Sequence, residues 1–343
     1  MRDGFRGKLK KLFAVMLALT LLCASAAYAD TTSDVEAVGV SGSYSELYEW
    51  ETCSSYYFYN KLSAKEQSAW DEMYELCNYY LNTKKNYKTI NIEGIKYGLL
   101  GNVDVSGCSF SAKEAGNFLT LFFVSNPQFY FLENIIYYSY SGSDVDDIYL
   151  ISYNKFKNGE KRYKKTKKLV KLVKKLTKAA WKKDSLLEME VYLHDKLCDL
   201  TEYDMTVEYI TAYDDLEYYE QSSFTQSAYS ALIGGSTVCS GYSQAFTLLC
   251  NATGIESLAV TSKTHAWNRV MINGYWYNVD VTWDDEESGG CIYDFFNRSS
   301  KKLTGSLDQD SMHKQEKFYK KYMKASICKK DSGAKGSDYG VVY

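Results

Sequence analysis

Apolar residues recur at helical spacing in several stretches of the chain, and capping signals mark where these stretches begin. Ser63-Ala64-Lys65-Glu66 forms a capping box, and apolar residues follow it at helical spacing as far as Tyr80. A second capping box, Ser111-Ala112-Lys113-Glu114, opens another apolar stretch, which Asn126-Pro127 is expected to end. These patterns predict two amphipathic helices upstream of the proline.

Other stretches favour strands. Residues 129–140 and 148–153 are rich in aromatic and β-branched side chains, which is typical of strands. Further along, residues 264–283 contain two β-rich runs around Asn273-Gly274, the strongest short signal for a hairpin with a type I′ turn. The chain therefore mixes helices with antiparallel strands.

A strongly basic segment lies between these regions. Residues 155–183 contain fourteen Lys and Arg but a single acid, Glu160. Apolar residues recur along one stripe of the segment, which predicts an amphipathic helix. The stripe comprises Leu169, Leu172, Val173, Leu176, Ala179 and Ala180. We interpret the lysines as a solvated face that is also suited to an anionic surface polymer such as teichoic acid, and we expect no nucleic-acid partner.

Composition indicates a folded, exported protein. Apolar residues make up 45% of the chain and charged residues 24%, and one Pro excludes Pro-rich linkers. Residues 1–29 combine five basic side chains, a short apolar run and Ala27-Tyr28-Ala29, which predicts a signal peptide cleaved before Asp30. The expected location is outside the cell or on its surface, with no transmembrane span after cleavage.

Neither a metal nor a cofactor is expected. Loss of Cys23 with the signal peptide leaves eight Cys, which form no CxxC pair or zinc-type spacing with His. His194 shares one face of a helix predicted at about residues 184–200 with apolar neighbours, so we interpret it as a packed histidine. The acidic run 284–287 lacks calcium-loop spacing. The disulfide pairing stays open.

Cys239 is the candidate nucleophile. It begins an amphipathic helix that Gly254 is expected to stop, and helix N-termini favour a thiolate. Taken alone, a cysteine in this position is more often a small buried apolar residue. The case for chemistry depends on the residues that follow.

The predicted hairpin brings a histidine and an aspartate together. If Ile272 pairs with Tyr275, His265 faces Thr282 on the opposite strand. Asp280 lies two residues from Thr282, hence on the same face and within diagonal reach of the histidine. A carboxylate there holds an imidazole in the tautomer that a general base needs.

Three motifs resemble the core of the transglutaminase-like superfamily, in its bacterial secreted branch. They are Val238-Cys239-Ser240-Gly241-Tyr242, His265-Ala266-Trp267-Asn268 and the run from Trp276 to Asp284. The resemblance covers about residues 185–320, where the segment 293–297 and His313 resemble the end of this core. It implies Cys239 as nucleophile, His265 as base and Asp280 as the residue that orients the base. Ser240 replaces a commoner Glu or Arg, which puts the substrate preference in doubt and not the chemistry.

The resemblance implies an α+β, papain-like fold with the nucleophile helix packed on an antiparallel sheet, preceded by a Tyr-rich α/β region. The expected organisation comprises a signal peptide (1–29), a flexible lead-in (30–48), the N-terminal region (49–154), the basic helix (155–183), the catalytic domain (184–328) and a tail (329–343).

The expected function is thiol-dependent acyl transfer on protein or peptide amides, including cell-wall peptides, through a thioester on Cys239. Cross-linking, deamidation and peptide hydrolysis are all compatible with the same triad. Tyr229 and Gln226 are candidate oxyanion donors and Trp267 a candidate cleft residue, although ordinary packing explains each as well. The alternative is a surface-binding module in which the Tyr-rich region contacts polymer and the thiol is not catalytic.

Overall fold

The structure, a computed structural model, describes residues 43–92, 95–205, 223–286, 289–303 and 312–331. The predicted signal peptide, most of the lead-in and most of the tail lie outside these residues. Seven α-helices are present in the described part of the chain. They are α1 (Ala64–Asn82), α2 (Ala112–Ser125), α3 (Gly159–Ala180), α4 (Leu186–Leu200), α5 (Cys239–Thr253), α6 (Val281–Asp284) and α7 (Ser300–Leu303). Among the described residues, no helix is both long and apolar enough to cross a membrane.

The capping signals place the first two helices correctly. At the start of α1, the Ser63 hydroxyl accepts the Glu66 amide at 3.3 Å, while the Glu66 carboxylate accepts the Ser63 amide at 2.7 Å. The same reciprocal pair forms between Ser111 and Glu114 before α2. α2 ends at Ser125, directly before the asparagine and proline that were predicted to stop it. Both capping boxes are confirmed.

The strands form three sheets. The strands are β1 (Lys88–Ile92), β2 (Ile95–Asp104), β3 (Tyr137–Ser141), β4 (Asp144–Tyr153), β5 (Glu202–Tyr203), β6 (Ser236–Thr237), β7 (Ser257–Thr261), β8 (Ala266–Ile272) and β9 (Tyr275–Val279). An antiparallel sheet has the order β1-β2-β4-β3, a small parallel pair joins β5 to β6, and an antiparallel sheet has the order β7-β8-β9. The mixture of helices and antiparallel sheets confirms the α+β prediction.

One strand prediction is wrong in part. Residues 129–136 form turns and a single bridge between Leu132 and Ser152, and regular pairing begins only at Tyr137. The amides of Phe129 and Leu132 donate within tight turns that follow the proline. The aromatic residues of this segment are there to fill the core, because Phe129 and Phe131 are fully buried.

The N-terminal region packs directly against the back of the later elements. The Tyr57 ring meets Trp276 of β9 edge-to-face with centroids 5.3 Å apart, and Tyr130 lies 4.8 Å from Tyr229. Buried apolar residues of both parts belong to one continuous cluster. The first part of the chain therefore supports the part that holds the candidate site.

The basic segment forms the predicted amphipathic helix, α3. Leu169, Val173 and Leu176 are buried, whereas most of its lysines are exposed. Arg162 is the exception, since its guanidinium is buried and donates to three backbone carbonyl groups. One face of α3 is thus core and the other is a dense field of positive charge.

The last residues of the predicted lead-in and the first residues of the predicted tail pack against the folded part of the protein. The Leu47 amide donates to Asn82 at the end of α1, and Leu47 packs on the core. Asp331 accepts the Ser299 amide at 2.7 Å. Residues 43–48 of the predicted lead-in and 329–331 of the predicted tail therefore belong to the folded part. Their apolar contacts and hydrogen bonds hold them against the rest of the protein.

A disulfide between Cys198 and Cys291 ties α4 to the segment after α6, and it closes a loop of 93 residues. We expect a variant with both cysteines changed to Ser to lose about 2–4 kcal/mol of unfolding free energy, because the cross-link restricts the unfolded chain. Denaturant unfolding with and without reductant measures this. Reductant should destabilise the wild type but not the double variant, and C108S, a free half-buried cysteine, is the control. A double variant as stable as C108S would contradict the expectation.

Candidate active site

Cys239 is the first residue of α5 and carries a free thiol. Almost every residue of α5 is buried, so the helix runs through the core with its N-terminus directed at the site. Cys239 itself is 8% exposed. Unpaired amide groups at a helix N-terminus stabilise a nearby negative charge, which suits a nucleophilic sulfur.

Gly241 allows the chain upstream of Cys239 to approach the nucleophile helix closely. A Cβ on Gly241 would stand 1.8 Å from the Thr237 hydroxyl and 2.9 Å from the Thr225 carbonyl oxygen. Any side chain there would push this loop away from the first turn of α5. The Cys-Ser-Gly sequence therefore reflects a packing constraint beside the nucleophile.

The hairpin register is confirmed, and it determines where the base and its partner lie. Ile272 pairs with Tyr275, and Asn273 and Gly274 both have positive φ, as a type I′ turn requires. His265 immediately precedes β8, and Asp280 immediately follows β9.

The prediction of a diagonal pair assumed that β9 continues to Thr282, but the strand ends at Val279. Asp280 instead caps the short helix α6, where its Oδ1 accepts the Trp283 amide at 3.3 Å. Side-chain capping competes with strand pairing for an aspartate followed by free amide groups. The predicted meeting of His265 and Asp280 still occurs, because both residues stand at the same end of the hairpin.

His265 and Asp280 form a buried, charge-assisted pair. His265 Nε2 lies 2.5 Å from Asp280 Oδ2, and both side chains are shielded from solvent. Burial alone would lower the pKa of His265, but the Asp280 charge and hydrogen bond outweigh it and raise that pKa to about 10. Burial likewise opposes ionisation of Asp280, yet His265 holds its pKa well below the usual range. Both shifts favour an imidazolium paired with a carboxylate at neutral pH.

The other ring nitrogen of His265 is the one available to the nucleophile. After Asp280, the Cys239 side chain is the next hydrogen-bonding and charge partner that raises the pKa of His265. Nδ1 is buried and has no hydrogen-bond partner among the described residues. The order thiol, Nδ1, Nε2, carboxylate is the arrangement of a nucleophile, a base and an orienting group.

Asn268 fixes the distance between the nucleophile helix and the histidine strand. Its side-chain amide donates to the Ser243 carbonyl and to the Thr247 hydroxyl of α5, each at 2.8 Å. Because Asn268 lies on β8 three residues after His265, this bridge holds α5 against the strand. Because this buried amide group makes both of its hydrogen bonds to α5, it favours a single position of β8 relative to that helix.

A second histidine reaches the same aspartate, although the sequence assigned it no role. His313 Nε2 lies 2.7 Å from Asp280 Oδ2, the oxygen that also contacts His265. The resemblance placed His313 in the closing segment of the core, but 33 residues separate it from Asp280. Nothing local in the sequence signals this long-range contact.

A further buried pair connects α6 to α4. His194 of α4 places Nε2 3.3 Å from Asp284 Oδ2, and Nδ1 3.1 Å from Asp195 Oδ1. The carboxylates outweigh burial and raise the pKa of His194 to about 9. His194 is packed, as predicted, but it also pairs with Asp284 of α6, the short helix that Asp280 caps.

The remaining predicted site residues lie at different distances from the nucleophile and the base. The Tyr229 ring packs between Tyr130 and the Lys165 ammonium group, facing the N-terminal region. The Gln226 carbonyl accepts the Ser240 hydroxyl at 3.2 Å, which puts the Gln226 backbone beside the nucleophile helix. Trp267 is 1% exposed and stacks near His265, so it forms the wall behind the base and not an open cleft surface.

Two groups among the described residues bring metal-ligand atoms within 4.8 Å of one another. They are His194 with Cys198 and Cys291, and His265 with Asp280 and His313. In the first group the sulfur atoms are bonded to each other, and in the second the atoms are joined by short hydrogen bonds. Of the acidic run 284–287, Asp284 is buried against His194, and Asp285 accepts the Tyr242 hydroxyl.

Residues 171–281 match the family model Transglut_core, the transglutaminase-like superfamily. This part of the chain is therefore similar to a transglutaminase-like domain, and the match contains Cys239, His265 and Asp280. His313 and Asp284 lie beyond it. Together with the helix-on-sheet arrangement, the match confirms the predicted transglutaminase-like α+β fold.

Two solved structures match parts of the chain. One, named as a TGase, is 19% identical with a TM-score of 0.31, and the match covers 47% of each chain. Another, from Cytophaga hutchinsonii, is named as a candidate cysteine protease; it is 20% identical with a TM-score of 0.24, covering 35% of this chain and 40% of that one. The chain thus matches about half the length of the first. No curated protein sequence matches the chain.

The buried ion pair predicts a reactive thiol at low pH. We expect iodoacetamide to alkylate Cys239 faster in the wild type than in H265N at about pH 6, because the His265 imidazolium stabilises a thiolate beside it. The difference should disappear above the His265 pKa of about 10, where the imidazolium is lost. Peptide mapping by mass spectrometry measures the labelled fraction at each pH.

C239A is the control for this measurement. Burial raises the pKa of Cys53 to about 12 and that of Cys328 to about 11, so the other thiols should stay unlabelled at pH 6. Equal labelling of the wild type and H265N at pH 6 would contradict the assigned pair.

Proposed function

We propose that this protein is a thiol acyltransferase that acts on carboxamide or peptide bonds of proteins or peptides through a thioester on Cys239. The observation that carries the proposal is the buried His265–Asp280 ion pair, whose remaining ring nitrogen is available to a free cysteine at a helix N-terminus. The transglutaminase-like match supports it.

The first half of the reaction forms the thioester. The Cys239 thiolate attacks the carbonyl carbon, and the amide groups at the N-terminus of α5 stabilise the negative oxygen that develops. The His265 imidazolium then gives its proton to the leaving nitrogen as the carbon–nitrogen bond breaks. Ammonia leaves from a glutamine side chain, or an amine leaves from a peptide bond.

The second half decides which product is made. An amine or water attacks the thioester, His265 Nδ1 takes the proton of the attacking group, and Cys239 leaves as the thiolate. An amine gives an isopeptide bond; water gives a deamidated side chain or a cut chain. Throughout, Asp280 holds the imidazole through Nε2, so that Nδ1 always faces the sulfur.

Product analysis tests this function. We expect the wild type, incubated with a glutamine peptide and an amine donor, to give one of two kinds of product. It either releases ammonia as it forms a new amide or a Gln-to-Glu change, or it cuts the peptide without releasing ammonia, and each product has its own mass change. C239A should form none of them, because no thioester can form. Full activity in C239A would contradict the proposal, and C108S, which changes a free thiol outside the site, is the matched control.

The runner-up, a surface-binding module built on the Tyr-rich region, has less support. Tyr80, Tyr87 and Tyr130 are each 3% exposed or less, so the aromatic residues of this region largely fill a core. A binding surface needs accessible rings. The tyrosines are better explained as packing for α1, α2 and the four-stranded sheet.

We also propose that the protein is exported and that the exposed face of α3 binds an anionic polymer rich in phosphate groups. Lys167, Lys171, Lys174 and Lys178 form one exposed stripe along this face. The single acid of the helix, Glu160, is already paired, with Lys84 at 3.0 Å and Lys164 at 3.7 Å. The stripe thus presents uncompensated positive charge to a partner.

Binding to long-chain polyphosphate tests this surface. We expect the quadruple Lys-to-Gln variant of the stripe to lose most binding at moderate salt, because charge pairing along one line drives the association. A matched control changes Lys88, Lys96, Lys113 and Lys324, which are exposed on other elements. Equal loss in both variants would show a general effect of net charge and contradict a specific surface.

A further inference from the structure

His313 contacts the carboxylate that orients the base, and no step of the proposed reaction uses it. One oxygen, Asp280 Oδ2, lies 2.5 Å from His265 Nε2 and 2.7 Å from His313 Nε2. A carboxylate oxygen has two lone pairs, so it accepts from both rings at once. The two imidazoles stand nearly perpendicular, with centroids 5.1 Å apart.

The surroundings of His313 determine its protonation state. Its ring is 4% exposed and is enclosed by Trp267, Trp283 and Phe295, with centroids 5.2, 5.1 and 6.3 Å away. Burial among these rings lowers the pKa of His313 despite the Asp280 charge. A neutral imidazole has one N–H group. If Nε2 donates it to Asp280, Nδ1 carries only a lone pair, which agrees with the lack of a hydrogen-bond partner at Nδ1 among the described residues.

The segment that carries His313 is fastened to the sheet that carries the base. The Glu316 amide donates to the Thr261 carbonyl of β7 at 3.0 Å, and the Glu316 carboxylate accepts the Thr261 hydroxyl at 2.8 Å. Arg269 of β8 donates to the Ala325 carbonyl at 3.1 Å. These bonds, made by residues that follow His313 in the chain, hold His313 beside Asp280, while the neighbouring Lys314 is exposed.

We propose that His313 is a positioning residue for the proposed acyl transfer, on which this inference rests, and that it adjusts the acidity of His265 through Asp280. As a neutral donor it keeps Asp280 ionised and fixes Oδ2 between the two rings. Because Oδ2 shares its charge between two N–H groups, it holds the His265 proton less tightly than it would with His265 alone. The imidazolium is then a stronger acid towards the leaving nitrogen.

Other charged groups near this cluster act on different members of it. Cys239, from the start of α5, faces His265 and favours its charged form, and Asp284 of α6 interacts with Asp280. Neither bonds to His313. A change in the titration of His265 that follows substitution of His313 would therefore pass through Asp280.

Imidazole ¹⁵N NMR tests the proposal directly, because the chain has three histidines and their signals can be assigned with single variants. In the wild type we expect the His313 ring to be neutral at neutral pH, with its proton on Nε2. H313M removes the donor at similar volume, and we expect the His265 titration to move to higher pH. H313Q offers an amide N–H in place of Nε2 and should return the titration close to that of the wild type.

Turnover gives a second measurement on the same proteins. Loss of a hydrogen bond to a charged group predicts a fall in kcat of about 10- to 100-fold for H313M, and H313Q should recover most of it. A protonated His313 at neutral pH, an unmoved His265 titration in H313M, or equal behaviour of H313M and H313Q would overturn the proposal. The wild-type tautomer needs no variant to fold. If the wild type makes no acyl-transfer product, the proposed function fails, whereas the NMR results still decide the role of His313.

Discussion

The buried carboxylate of Asp280 is the group on which the rest of the site depends. A bare charge in the interior is very unfavourable, so this one persists only because His265, His313 and the first turn of α6 all donate to it. Its position follows from the hairpin: β9 delivers Asp280 to the end of the sheet where β8 begins. The charge in turn keeps His265 protonated, and His265 faces the cysteine.

The surrounding structure maintains this small cluster. Asn268 connects the histidine strand to the nucleophile helix, and Gly241 lets the upstream loop close over the start of that helix. Beneath α6, the His194–Asp284 pair and the Cys198–Cys291 disulfide both anchor the segment after Asp280 to α4. The N-terminal region completes the support, since its aromatic rings pack against β9 and the loop before α5. The abundance of tyrosine thus serves the core more than any exposed surface.

Local chemistry made part of this structure predictable. Capping boxes, an Asn-Gly turn and a glycine at the end of α5 act within a few residues, and each of them appears where the sequence indicated. The meeting of His265 with Asp280 was predictable because a hairpin register links two positions by simple counting. The prediction of a strand beginning at residue 129 was wrong in part, because aromatic residues suit a buried turn as well as a strand.

The missing parts were long-range. His313 reaches Asp280 from 33 residues away, and His194 reaches Asp284 from 90 residues away, through contacts that no local pattern encodes. The disulfide depends on how α4 packs beside α6, which is a property of the assembled fold. When a histidine lies on the apolar face of a helix, the sequence does not indicate whether a distant carboxylate will pair with it.

The most direct measurement of the central claim is the intact mass of the protein during reaction with an activated acyl donor, followed by peptide mapping. The buried ion pair predicts a single acyl group, attached as a thioester to Cys239, removed by hydroxylamine and absent from C239A. An acyl group on another residue, or none on Cys239 while substrate is consumed, would contradict the account.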